Sequence, residues 1–190
     1  MPPSSSVKEL QRRIALYDDE QAYKELFILF YKPLLQFGQS FVRSTEMAEE
    51  IVSDVFIKVW ERRRQIEEVA NLNVYLYVST KNAALKCLLK QQKQVAITID
   101  ELSVELKSSY NNPEQLLVTA EMMTRIEQAI SQLPPRCKII FKLIREDGLR
   151  YKEVAEILNI SVKTIDNQLA IALKKIGNAM NINLKKTVKF

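Results

Sequence analysis

The sequence predicts an all-α fold: two small helical domains joined by a flexible linker. Three observations predict it. Only three glycines occur in 190 residues, Gly38, Gly148 and Gly177, well under the roughly 7% of average proteins, and hairpin turns and phosphate-cradling loops both need glycine. Hydrophobic residues make up 47%, enough for a buried core and too much for disorder throughout. Helical signals lie on both sides of a stretch holding Ser103, Ser108, Ser109, Asn111, Asn112 and Pro113, which has no sustained period and reads as a linker. The expected layout is residues 7–92, linker 93–112 and residues 113–181, with Met1 to Ser6 and Leu184 to Phe190 frayed.

Each helix has a local reason. Asp18 or Asp19 can cap a helix running toward Tyr31; Pro33 then kinks it or opens a second one to about Val42. Ser44 or Thr45 caps the next, with Glu46, Glu49 and Glu50 near its positive end. Asn71 or Asn73 caps a helix reaching about Gln91, and Asn112-Pro113-Glu114 reads as another helix start. Leu133-Pro134-Pro135 stops that helix, and Pro135 begins one that ends at Asp147-Gly148.

Composition narrows the chemistry. No histidine and two distant cysteines, Cys87 and Cys137, leave almost nothing for a zinc site or a histidine-based catalytic centre. A reducing cytoplasm is expected, with no cofactor and no metal. The longest uncharged run, Val69 to Thr80, is too short to span a bilayer, and no signal peptide is visible, so no membrane insertion is expected. Residues 119–190 carry 13 basic and 7 acidic side chains, net +6, against a net +1 over residues 1–92. A polyanion partner for the C-terminal part follows.

Three faces carry the functional signal. Ala48, Ile51, Val52, Val55, Phe56, Val59 and Trp60 form an amphipathic stripe. Opposite it lie Glu50, Ser53, Asp54, Ile57 and Glu61, either a plain solvated face or a protein-binding one with a bare Ile57 among acids. Tyr75, Ser79, Asn82, Lys86, Lys90 and, if the helix runs on, Lys93 share one side of the next helix, joined by Arg62, Arg63 and Arg64. Amines meet phosphates and a ring stacks on a base, though polar helix faces are also common on ordinary surfaces.

The most specific signal is Tyr151 to Ala170. Val154, Leu158, Ile160 and Ile165 supply buried contacts and Ala155 allows close helix approach. Asn159 suits a left-handed turn, and Ser161 caps the second helix. This pattern fits a helix-turn-helix. On its second helix Ile165, Leu169, Ala172, Leu173 and Ile176 point inward. Lys163, Asn167, Ala170, Ile171 and Lys174 point outward, with Thr164 and Gln168 on the flank. Asn and Gln read base edges; lysines hold phosphates.

Both halves together resemble the extracytoplasmic-function group of the bacterial sigma-70 family of RNA polymerase initiation factors, with wording similar to its Bacteroidetes-type members. Phe27 to Phe41, the run Ala48-Glu49-Glu50-Ile51-Val52-Ser53-Asp54-Val55-Phe56 and Trp60 resemble sigma domain 2. There Glu50, Ser53 and Asp54 stand where the family pattern has Asp, Gln and Glu. Tyr75-Leu76-Tyr77 with Lys81-Asn82 is similar to the family segment that contacts the −10 element. Leu133 to Cys137, Gly148 to Ala155 and Ser161 to Ile165 resemble sigma domain 4.

The resemblance implies a set of roles. Glu50, Ser53, Asp54, Ile57 and Glu61 would bind the β′ coiled coil of core RNA polymerase, which engages such factors through its β and β′ subunits. Arg62, Arg63, Arg64, Tyr75, Ser79, Asn82, Lys86 and Lys90 would meet −10 DNA. Lys163, Thr164, Asn167, Gln168, Ile171 and Lys174 would meet the −35 element. Promoter recognition, DNA melting, transcription initiation and an anti-sigma partner are implied with them, and no catalysis. A stand-alone helix-turn-helix regulator is the alternative, but it has no reason to carry the Glu46–Trp60 helix with its Asp54-x-Phe56 pattern. A helical enzyme fails on chemistry, and a structural adaptor leaves the basic C-terminal bias unexplained.

Overall fold

The computed structural model describes residues 4–42, 44–91 and 118–180. The linker 93–112, Lys93, the helix start at Asn112-Pro113-Glu114 and the terminal segments 1–3 and 184–190 lie outside the described residues. Among the described residues there are eight α-helices and no strand: α1 (Ser4–Tyr17), α2 (Glu20–Gln39), α3 (Thr45–Glu61), α4 (Leu72–Gln91), α5 (Val118–Ser131), α6 (Pro135–Phe141), α7 (Tyr151–Leu158) and α8 (Val162–Ala179).

Local chemistry sets most of the ends. Asp19 accepts the Ala22 amide at 2.9 Å and opens α2. Arg13 and the Ala22 amide hold the Asp19 carboxyl below its ordinary value, the amide contributing most. Ser44 accepts the Met47 amide at 3.2 Å at the start of α3, and Asn71 accepts the Val74 amide at 3.3 Å at the start of α4. Pro135 occupies the first turn of α6, where its missing N–H costs nothing. Two expectations are corrected. Ser4 to Ser6, expected to fray, are the first residues of α1. Pro33 does not open a new helix: α2 runs through it, because Phe30, Leu34 and Phe37 on both sides of the proline are fully buried on one face. That burial, about 1.5–3 kcal/mol per large side chain, outweighs one missing backbone bond.

In the first lobe α2, α3 and α4 pack on one another, and α1 lies against α2 and the 3-10 turn Gln65–Glu68. Phe30, Phe37, Phe56 and Tyr77 fill the centre, with Phe37 edge-on to Tyr77 at 5.1 Å. Buried Gln11 on α1 donates through Nε2 to the carbonyls of Ile66 at 2.5 Å and Val69 at 2.8 Å. Both carbonyls belong to the short connection between α3 and α4.

In the second lobe Ala129, Ile130, Leu133, Cys137, Ala172 and Ile176 join α5, α6 and α8 in a small core. The helix begun at Pro135 widens into a π-helical turn, Lys142–Glu146, and stops at Asp147 with Gly148 at φ 67°. The i→i+5 bond from the Asp147 amide to the Lys142 carbonyl, 3.0 Å, marks that widening.

The two lobes touch. Ile139, Ile140, Leu143, Leu149 and α7 residues Val154, Ile157 and Leu158 belong to the same apolar core as the first lobe, and α7 packs on α4. Polar groups stitch this boundary. Tyr77 Oη donates to Asp147 Oδ2 at 2.8 Å, and Lys142 Nζ reaches both Asp147 oxygens at 2.7 and 2.8 Å. Asn71 Nδ2 donates to Glu153 at 2.7 Å, and Lys81 Nζ donates to the Ile157 carbonyl at 2.6 Å. Lys142 is only 1% exposed, so its charge is tolerable only because Asp147 neutralises it and Tyr77 satisfies a second lone pair. Burial, with the Asp147 carboxylate alongside, pushes the Tyr77 phenol well above its ordinary value.

Candidate functional site

Helix α3 buries Ala48, Ile51, Val52, Val55, Phe56 and Val59. Its 3.6-residue period then leaves Glu50, Ser53, Asp54, Ile57 and Glu61 exposed together on the far side, Ile57 at 53%. All five residues singled out from the sequence therefore share one outward surface. Trp60, the last residue of the apolar stripe, is half-buried. Its ring lies 4.9 Å from Tyr23 and under the Arg63 guanidinium at 4.7 Å.

On α4, Tyr75 and Ser79 are half-buried and Asn82, Lys86 and Lys90 exposed, along one stripe. Arg62 and Arg64 are exposed as well, and Arg64 lies 3.8 Å from Asp18. Arg63 stands apart from this patch. It pairs with Asp18 at the α1–α2 turn, donates to the Trp60 carbonyl at 3.0 Å and covers the Trp60 ring. It fastens the end of α3 to the α1–α2 corner, so the outward basic groups here are Arg62, Arg64, Lys86 and Lys90. The other side of α4 carries Tyr77 and Lys81 into the lobe boundary, where burial holds the Lys81 amine below its ordinary value.

The helix-turn-helix is realised at its turn. Asn159 adopts φ 54° and ψ 51°, the left-handed region that Asn tolerates. The Ile160 amide closes onto the Ala155 carbonyl at 3.0 Å. Ser161 then accepts the Thr164 amide at 3.0 Å and begins α8. Ile165, Leu169, Ala172 and Ile176 are buried, while Ile160 and Leu173, expected inside, are half-buried. Lys163, Asn167, Ile171 and Lys174 are exposed on the opposite face. Thr164 and Gln168 sit half-buried at its edge: the Thr164 hydroxyl lies 2.8 Å from that of Ser161, and Gln168 Oε1 accepts from Cys137 Sγ at 2.8 Å. Exposed Asp166 is the acid on this otherwise basic and amide-bearing helix.

What sequence reasoning passed over is the set of contacts that Tyr77, Lys81, Lys142, Asp147 and Glu153 make at the lobe boundary, although Tyr77, Lys81 and Glu153 lie in the segments that carry the family resemblance. One signal pointed at them: Val154, Ala155, Ile157 and Leu158 are all buried, an apolar arc wider than the stripe that a single packed helix covers. Among the described residues no group of three His, Cys, Asp or Glu side chains is placed to hold a metal ion, and no helix is long and apolar enough to cross a membrane.

Comparison with known proteins bears on the same segments. The family model "Sigma-70 region 2" matches residues 26–94 and "Sigma-70, region 4" matches residues 123–176. Between them they cover well over half of the chain. The chain is similar to the ECF RNA polymerase sigma factor SigW of Bacillus subtilis, 22% identical over 158 residues, covering 80% of this chain and 84% of that one. It is similar at 23% identity to the ECF RNA polymerase sigma-E factor of Escherichia coli, covering 80% and 82%. Two solved structures share the fold. CnrH in complex with the cytosolic domain of CnrY superposes with a TM-score of 0.58 at 15% identity, covering 93% of this chain and 97% of that one. The sigma factor RpoE in complex with the anti-sigma factor NepR from Bartonella quintana gives 0.56 at 18%, covering 85% and 98%.

Proposed function

The chain belongs to the sigma-70 family, in its extracytoplasmic-function group of RNA polymerase sigma factors, and from that premise we propose which of its faces does what. As a sigma factor it binds core RNA polymerase and directs it to promoters. Residues 7–92 form the core-binding and −10 domain, and residues 113–181 the −35 domain.

The outward face of α3, with Glu50, Ser53, Asp54, Ile57 and Glu61, meets the β′ coiled coil. Acids complement a basic partner and set register, and Ile57 supplies the apolar contact. On α4, Tyr75 stacks on an exposed base while Asn82, Lys86, Lys90, Arg62 and Arg64 follow the backbone near the −10 element; Arg63 acts there through Trp60 and Asp18. On α8, Lys163 and Lys174 hold phosphates and Asn167 reaches a base edge, with Thr164, Gln168 and Ile171 at the margins. Bond making belongs to the core enzyme, so this chain is not a catalyst and works in the cytoplasm. An anti-sigma protein is a further partner, by analogy with the complex of the sigma factor RpoE with the anti-sigma factor NepR.

The observation that carries this reading is the turn: Asn159 left-handed and Ser161 capping, with Lys163, Asn167 and Lys174 exposed just beyond. The test is transcription in vitro on genomic fragments with core polymerase, with and without this chain. Chain-dependent transcripts from discrete start points are expected. A chain that binds duplexes alone yet starts no transcript would instead be a stand-alone regulator.

A further inference from the structure

We infer that Cys137 is a positioning residue for base recognition: its thiol holds the oxygen of the Gln168 amide, so that Gln168 meets DNA as a donor only and favours guanine at one position of the −35 element. The inference rests on the assignment of α8 as the DNA-reading helix and deepens it. Cys137 is the third residue of α6, the helix that Pro135 starts. It is 1% exposed, in the small core where α6 packs on α8. Gln168 stands across from it, half-buried at the edge of the face that carries Lys163, Asn167 and Lys174. Cys137 Sγ donates to Gln168 Oε1 at 2.8 Å, between residues 31 apart in sequence. A buried group of the supporting helix thus takes hold of a side chain at the margin of the reading face.

A glutamine amide has an acceptor oxygen and two N–H donors. Free to turn, it presents both kinds together and pairs with adenine, which offers N7 as acceptor and N6 as donor in the major groove. In this chain the oxygen is engaged from the core side. Among the described residues Gln168 makes no other hydrogen bond, so both N–H groups remain for a ligand. Turning the amide over would set its N–H groups against sulfur, a weak acceptor, and would aim the oxygen at a polyanion. The side chain is therefore a fixed donor. The edge that suits it is made of acceptors, as in guanine with N7 and O6. Adenine sets an amino group beside its one acceptor, and cytosine offers an amino group alone. Holding the amide in advance also lowers the cost of ordering it on binding. The preceding residue, exposed Asn167, makes no side-chain hydrogen bond among the described residues and keeps both choices.

The test is selection from a randomised −35 library by holoenzymes carrying the full chain. Preference at a position is a ratio within one preparation, so a variant that folds less completely still reports it. Gln168→Ala should flatten one base position, at which the wild type favours guanine over adenine by about fivefold or more. Cys137→Ala and Cys137→Val both remove the donor, one leaving space and the other filling it. Each should free the oxygen and move that same position toward adenine, with the other positions unchanged. Cys137→Ser, which keeps a donor, should restore guanine. The inference is overturned if the position that Gln168→Ala flattens keeps its wild-type preference in Cys137→Ala and Cys137→Val. It is overturned as well if Cys137→Ser shifts as far as Cys137→Ala, since the cause is then packing and not the bond. Asn167→Ala separates the premises. If it alters a position and Gln168→Ala alters none, α8 reads DNA without Gln168 and this inference falls alone. If neither alters any position, the assignment of α8 to base reading falls with it.

Discussion

Helices α3 and α8 are built alike, and the proposed function gives them opposite partners. They are 17 and 18 residues long, and each begins on a serine cap. Each buries an apolar stripe at helical spacing, from Ala48 to Val59 in one and from Ile165 to Ile176 in the other. Their outward faces differ. α3 presents Glu50, Asp54, Glu61 and a bare Ile57; α8 presents Lys163, Asn167, Ile171 and Lys174. The stripe decides that a helix forms and where it packs. The opposite side is free of packing constraints, and on the proposed function its chemistry suits a protein surface for one and a polyanion for the other.

The largest effects should come from crossing the two roles. Phe56→Ala in α3, at 1% exposure, should destabilise the fold by about 3–5 kcal/mol, measured by urea denaturation; on the outward face Asp54→Ala should stay within about 0.5 kcal/mol. Equal losses at the two positions would mean that α3 has no free side. Next, Asp54→Lys with Ile57→Asp should abolish co-purification with core polymerase while far-ultraviolet circular dichroism stays unchanged. Retention of core binding would remove this face from the interface.

On α8 the effects should be smaller and divided. Lys163→Ala should weaken promoter use on every sequence and flatten its salt dependence, because one phosphate contact is gone. Asn167→Ala should relax preference at one base position, by about 1–3 kcal/mol of discrimination. Identical logos from a randomised −35 library with wild-type and Asn167→Ala holoenzymes would leave DNA shape as the readout.

The finest difference lies in the caps. In α3 the Ser44 hydroxyl donates to Glu46 at 2.6 Å, and this bond holds the Glu46 carboxyl below the ordinary glutamate value of 4.5. A folded value below the unfolded one means that the contribution is complete above 4.5 and vanishes as pH falls through the lower folded value. The first turn of α8 carries no acid. Ser161→Ala should therefore cost about 1 kcal/mol at neutral pH and the same below pH 4.5. The loss on Ser44→Ala should shrink over that acidic range. Denaturation of both variants at the two pH values decides it.

What could be read from the sequence was local. Asn71, Ser44 and Ser161 cap helices because a side-chain oxygen reaches an amide two or three residues on, and Asn159 turns left because few residues tolerate it. The outward faces of α3 and α8 followed from the period alone. What stayed hidden is long-range. Lys142 and Asp147 look like surface charges in a helix end, and only the approach of Tyr77 makes them a buried cluster. Arg63 looks like one of three equal arginines until Asp18 and Trp60 engage it. Pro33 reads as a kink or a new helix start until burial on both sides of it keeps α2 in one piece.

Gln11 has a consequence of a mechanical kind. Its buried amide grips the carbonyls of Ile66 and Val69, in the few residues that separate α3 from α4. Neither outward face contains Gln11, yet both take their bearing from it, as two sights fixed to one mount. A Gln11→Leu chain leaves two carbonyls without that donor. It keeps every side chain that the proposed function assigns to polymerase or DNA, and the expected loss is the fixed angle between the α3 and α4 faces. Such damage is invisible when core binding or duplex binding is measured singly, and it emerges only when one molecule must aim both faces at once.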